Sequence, residues 1–198
     1  MRLLFCLISV VFGVGLSSCR NTHAYEKYTK ELDSLKVVLQ QSVSHFKAVD
    51  SSACMKAYSK QYTYSLFINS HLKDTVTKTV AENLQAFQSV GKGMNEYLAL
   101  RSGWLNEADL SVEQLQTLSH DLKTGSIDEE EAIEFINEEK KESEKIIEEL
   151  NVNTEIIRKH LEVFNQALPV CEDLVKKLNS GVLPELIYPE ITHQNSTN

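Results

Sequence analysis

The feature that most restricts this chain is a spacing. From Tyr25 onward, apolar residues recur at alternating intervals of three and four: Tyr25, Tyr28, Leu32, Leu35, Leu39, Phe46 and Val49, with Ser42 the one polar member. The later half repeats the alternation through Ile133, Ile136, Ser143, Ile147, Leu150, Thr154, Ile157, Leu161, Phe164, Leu168, Cys171, Val175 and Leu178, interrupted at Lys140. A stripe with this period lies on one side of a helix and has to be covered by another helix. Only five glycines and three prolines follow residue 18, and no run shows the strict two-residue alternation of a strand. The expectation is an all-α fold, an elongated antiparallel helical bundle with coiled-coil-like seams over residues 25–179, followed by an extended tail over 180–198.

Capping chemistry sets the expected boundaries. Asp50-Ser51-Ser52 ends one helix and begins the next. Ser111-Val112-Glu113-Gln114 and Ser126-Ile127-Asp128-Glu129 both read as capping boxes, a hydroxyl followed three residues later by Glu or Gln, and Gly125 is placed to stop a short helix 111–123. The stretch 53–101 reads either as one helix of about 70 Å or as two, broken near residue 70 where Asn69-Ser70-His71 and Asp74-Thr75 offer a turn and a new N-cap. The unbroken version is favoured: two long antiparallel helices, helix 111–123 across one tip, helix 25–49 along the other. Pro169 is expected to kink the last helix without ending it.

Residues 1–18 are a different kind of segment. Met1 and Arg2 precede fourteen uncharged residues, LLFCLISVVFGVGL, too few for a membrane span of about 20 residues but the right length for a secretory h-region. The next residues, Leu16-Ser17-Ser18-Cys19, resemble the lipobox of bacterial lipoproteins. The resemblance implies cleavage before Cys19, diacylglycerol on its sulfur, and a short tether over 19–24. Two acyl chains suffice for stable anchoring, so the expected partner at this end is the membrane, reached without a transmembrane helix. Arg20 follows the lipidated cysteine where an inner-membrane retention signal would have Asp, which favours the outer membrane. The triplets Asp33-Ser34-Leu35 and Asp74-Thr75-Val76 match the glycosylation pattern of Bacteroidota, and the chain is similar in style to small helical lipoproteins of that phylum.

The mature chain carries 19 basic and 28 acidic residues, a net charge of −9. That sign disfavours nucleic acid and anionic headgroups. Cys54 and Cys171 remain after the leader and Cys19 are accounted for. In an exported protein an even pair predicts one disulfide, and both cysteines lie on helical seams.

Chemical signatures are sparse. The six histidines form no i,i+4 pair, the paired Glu-x-x-His motifs of di-iron helical bundles and His-Glu-x-x-His are absent, and no Gly-x-Ser-x-Gly occurs. Gly91-Lys92-Gly93 lacks the frame of a phosphate loop and reads as a flexible point or a close helix contact. Neither a catalytic residue, a metal site nor a cofactor is expected. Trp104 and Leu105, placed in the connection after the long second stretch, are the candidate partner contacts, with the mixed-charge run Glu138 to Glu149 as a second candidate face. The expected function is that of a non-enzymatic, lipid-anchored scaffold, adaptor or accessory subunit with a protein partner. The alternative is a periplasmic bundle holding a small molecule or lipid near Tyr58, Tyr62, Tyr64 and Phe67.

Overall fold

The computed structural model describes residues 25–191. The expected leader 1–18, the expected lipidation site Cys19 with its tether 19–24, and residues 192–198 lie outside the described residues. Five helices make up the body: α1 (Glu26–Lys47), α2 (Ser51–His71), α3 (Lys78–Ser89), α4 (Gly91–Thr124) and α5 (Glu129–Leu178). No strand occurs among the described residues.

Five helices form three columns. Glu31 of α1 pairs with Lys140 of α5, and Lys60 of α2 with Glu172 of α5, at sequence separations of 109 and 112. A near-constant separation means that α1 and α2 run end to end, parallel to α5. Ser111 meets Ser143 and Phe87 stacks on Phe164, so α3 and α4 run the opposite way. The 50 residues of α5 make it about 75 Å long, and the other columns lie along it. The expected seam is where the columns meet: Leu32, Leu39, Ser42, Phe46, Ser143, Leu150, Thr154, Ile157, Phe164, Cys171 and Val175 are all buried, while Ile133 is 41% exposed.

The breaks follow local chemistry. Asp50 leaves the helical region (φ −69°, ψ 103°), and its carboxylate accepts the Ser52 and Ala53 amides at 2.8 and 3.1 Å. That caps α2 and separates it from α1. Gly125 takes the left-handed conformation (φ 66°) that ends α4, and Asp128, not the expected Ser126, accepts the Glu131 amide to begin α5; the Ser126 hydroxyl pairs with that of Thr124 instead. Pro169 sits inside α5 without ending it.

Four further expectations are corrected. The stretch 53–101 is not one helix: the chain leaves the helix after His71 and reverses before Lys78. Residues 111–123 are not a separate tip helix but the end of α4, and the Ser111 hydroxyl faces the interior, 2.8 Å from that of Ser143, instead of capping anything. Helix α1 packs at the end away from Cys171, since Asp33 meets Lys123 and Ser119 near the far end of α4.

The fourth concerns the expected disulfide. Cys54 and Cys171 are free thiols, both fully buried. Because α2 runs parallel to α5 with a separation near 110, Cys54 lies level with residues around 164 and Cys171 with residues around 61. About seven residues of axial offset is about 10 Å, beyond the Cα separation of roughly 4.4–6.8 Å that a disulfide spans. The favoured arrangement would have paired them as antiparallel neighbours whose far ends coincide, and the break after His71 does not bring them together either. Burial pushes both thiols up to about 12, so neither is a ready nucleophile.

Candidate functional site

Trp104 and Leu105 lie in the middle of α4, not in a connection, and both are half-buried. The indole packs edge-on against Phe46 of α1 at 5.8 Å, and Tyr97 tilts against the same ring at 5.5 Å. The tryptophan therefore staples two columns at the waist of the bundle. The other candidate face, Glu138 to Glu149, runs along α5 at the end where α1 begins. Burial together with Glu138 and Glu142 pushes the Glu139 carboxyl up, whereas the ammonium of Lys140 holds Glu31 down.

The structure brings a different group together at the opposite end. On α2, Tyr58, Tyr62 and Leu66 are spaced by four along one line of the helix; the two tyrosines are half-buried, Tyr58 against the core, with rings 6.5 Å apart, and Leu66 is 45% exposed. Facing inward on the same helix, Tyr64 stacks on Phe87, which stacks on Phe164, with ring centroids 6.4 and 5.4 Å apart. These rings fill the interior beside the tyrosines. Lys60 bridges to Glu172 at 2.8 Å, and the Tyr64 hydroxyl lies 3.4 Å from the same carboxylate. Burial and the negative charge of Glu172 push the Tyr64 phenol up to about 12, which keeps it a neutral donor.

Two glycines make this packing possible. A methyl group on Gly91 would overlap the amide of Gln61, and one on Gly93 would overlap the imidazole of His160. Of the two readings of the Gly-Lys-Gly motif, a flexible point or a close helix contact, the structure shows the contact. Burial, with Lys159 nearby, depresses His160, which favours its neutral form.

The tail completes the group. After α5, Ser180 (φ 51°) and Gly181 (φ 90°) turn the chain, and the Gly181 amide donates to the Lys176 carbonyl at 2.7 Å. Residues 183–191 then continue without helix or strand and reach α2 at Thr63. The Ile187 amide donates to the Thr63 hydroxyl at 2.9 Å, and that hydroxyl donates to the Ser59 carbonyl at 2.7 Å. Leu183 and Leu186 pack on the core, while Ile187 and Tyr188 are 49% and 65% exposed. Sequence reasoning anticipated an extended tail over the bundle but not its contact with Thr63. The available signal was Leu183-Pro184-Glu185-Leu186-Ile187, apolar residues between prolines past a helix stop.

Among the described residues, no three His, Cys, Asp or Glu side chains gather as metal ligands, and no helix is long and apolar enough to cross a membrane. A shallow depression of about 450 Å³ beside Glu113, Gln116, Thr117 and His120 lies on α4 alone. No protein-family profile, curated protein or solved structure matches this chain.

Proposed function

We propose that this chain is a lipid-anchored, non-enzymatic adaptor of the bacterial cell envelope, a coiled-coil-like rod that holds a protein partner at a distance from the membrane. Cys19 carries the lipid, the leader Leu16-Ser17-Ser18 directs its attachment, and Arg20 favours the outer membrane. The observation that supports this best is where the two ends of the rod fall. Tyr25, six residues after Cys19, begins α1 at one end, and α5 then extends about 75 Å to the other. That far end presents the exposed apolar side chains of Leu66, Val182, Ile187 and Tyr188. Exposed apolar side chains also occur elsewhere on the rod, Leu110 and Phe135 among them, but these four lie on α2 and on the tail that crosses it, and such a grouping suits a protein contact.

Metabolic labelling with an alkyne fatty acid, followed by crosslinked capture from native envelopes, tests both parts. The expected result is label on the wild-type chain, none on Cys19→Ala, and one stoichiometric protein partner that Leu66→Asp removes. A wild-type chain that takes no fatty acid would overturn the anchor. A labelled chain that captures nothing would overturn the adaptor.

A further inference from the structure

The strap over residues 183–191 is held in the manner of a bound peptide. Its main chain bonds to α2 at one place, where the Ile187 amide meets the buried Thr63 hydroxyl. Two side chains three residues apart, Leu183 and Leu186, turn inward onto the core, and their neighbours Ile187 and Tyr188 face out. A main-chain hydrogen bond combined with sockets for spaced apolar side chains is how extended segments are recognised. Pro184 and Pro189 fix backbone torsions within the strap and lower the entropy cost of holding it extended.

A second observation is a polar group that the strap leaves unsatisfied. One turn before Thr63, on the same face of α2, the Ser59 hydroxyl is buried and has no hydrogen-bond partner among the described residues. A buried hydroxyl left unpaired costs free energy that a better-matched ligand would recover. The strap also springs from a turn built on two left-handed residues, Ser180 and Gly181, which gives it a defined pivot.

We infer that the groove along α2 is a recognition site for an extended segment of a partner protein, bearing apolar side chains three residues apart, and that the strap is its resident competitor. This rests on the adaptor reading and specifies its contact. A partner segment displaces Leu183 and Leu186, takes the Thr63 hydroxyl with its own main-chain amide, and offers Ser59 a partner.

The test uses the full mature chain with Cys19→Ser, so that no acyl chain enters and a failure here is separate from a failure of anchoring. The probe is a fluorescent peptide of residues 182–191, VLPELIYPEI. Leu183→Ser with Leu186→Ser loosens the resident strap, and the peptide should bind this variant about tenfold or more tighter than the parent chain. Adding Thr63→Val, which keeps the shape but removes the hydroxyl, should reverse that gain. Equal affinity for the parent and loosened chains, or binding indifferent to Thr63→Val, would overturn the proposal. Hydrogen exchange on the unsubstituted chain covers the case in which these variants fail to fold. The Ile187 amide should exchange about 100-fold or more faster than that of Leu174 in α5, and equal protection would make the strap an integral layer and overturn the idea. A parent chain that sediments as a dimer and becomes monomeric on adding peptide would assign the groove to a second copy's strap, against a separate partner.

Discussion

The two halves of the rod are built from the same helical period but held together differently. In the half that contains α1, that helix, the end of α4 and the start of α5 are unbroken, and the core is aliphatic: Leu32, Leu39, Leu115, Leu122 and Leu150. It is interrupted by buried hydroxyls, with Ser111 against Ser143 and with Ser42 and Thr154 at seam positions. Its edges are clipped by Glu31–Lys140 and Asp33–Lys123. Residues 128–149 carry eleven acidic and three basic side chains. In the far half the columns are broken, yet the core is aromatic: Tyr64, Phe87 and Phe164 stack, and two glycines let Gln61 and His160 close in. Helix continuity and core strength therefore do not go together. Helices that are individually long can share a core diluted by hydroxyls, and helices that are broken can share a dense one, because most helical stability comes from the buried face.

Removing the centre of the aromatic stack gives the largest expected effect. Phe87→Ala should lower unfolding free energy by about 3–5 kcal/mol, measured by urea denaturation, and a loss under 1 kcal/mol would erase the contrast between the halves. The hydroxyl pair should respond in the opposite sense to its number of substitutions. Ser111→Ala alone strands the Ser143 hydroxyl and should cost about 1–2 kcal/mol, while Ser111→Ala with Ser143→Ala together should cost less. A double substitution costing the sum of the singles would show that the pair is not coupled.

Acid should separate the halves more gently. Glu31 and Asp33 are held below the usual carboxylate range by hydrogen bonds from Lys140 and Lys123. The folded state thus binds these protons less readily than the unfolded one. Their stabilisation is present above the ordinary carboxylate range and is lost as pH falls below about 4. Hydrogen exchange at pH 3.5 should show amides of α1 and early α5 losing protection before those around Phe164, and uniform loss would count against the distinction. The smallest expected effect is that of a reductant. With Cys54 and Cys171 two turns apart, dithiothreitol should leave the melting temperature unchanged, and a downward shift would restore the disulfide.

Much of this was legible in the apolar spacing, for a physical reason. A seam repeating over 50 residues has one way to be buried, so α5 and its tolerance of Pro169 follow from it directly. Asp50 and Gly125 were legible because their chemistry is local, whereas the cap of α5 was read at Ser126, two residues before Asp128, which supplies it. The break after His71 carries no Gly or Pro, and its Asn, Ser, Asp and Thr residues are equally at home on a helix surface. Ser111 misled for the converse reason: with Gln114 it satisfies a capping pattern, but its hydroxyl is spent on Ser143, thirty-two residues away. Trp104 was assigned to a connection that depended on that false cap. The cysteines misled because pairing by number takes no account of register, and register depended on the same break. The candidate site at Tyr58, Tyr62, Leu66 and the strap was half legible: the aromatics were evident, but only the reversal after His71 brings the tail to Thr63.

The central claim is the register: α1 and α2 in line, parallel to α5, with the start of α1 at one end and the strap at the other. Carbodiimide crosslinking of the native chain, mapped by peptide mass spectrometry, tests it most directly, because it joins lysines to carboxylates already in contact. The account predicts links Glu31–Lys140, Asp33–Lys123 and Lys60–Glu172. Links from Glu26 or Glu31 to Lys176 or Lys177 would place α1 beside the end of α5 and contradict it.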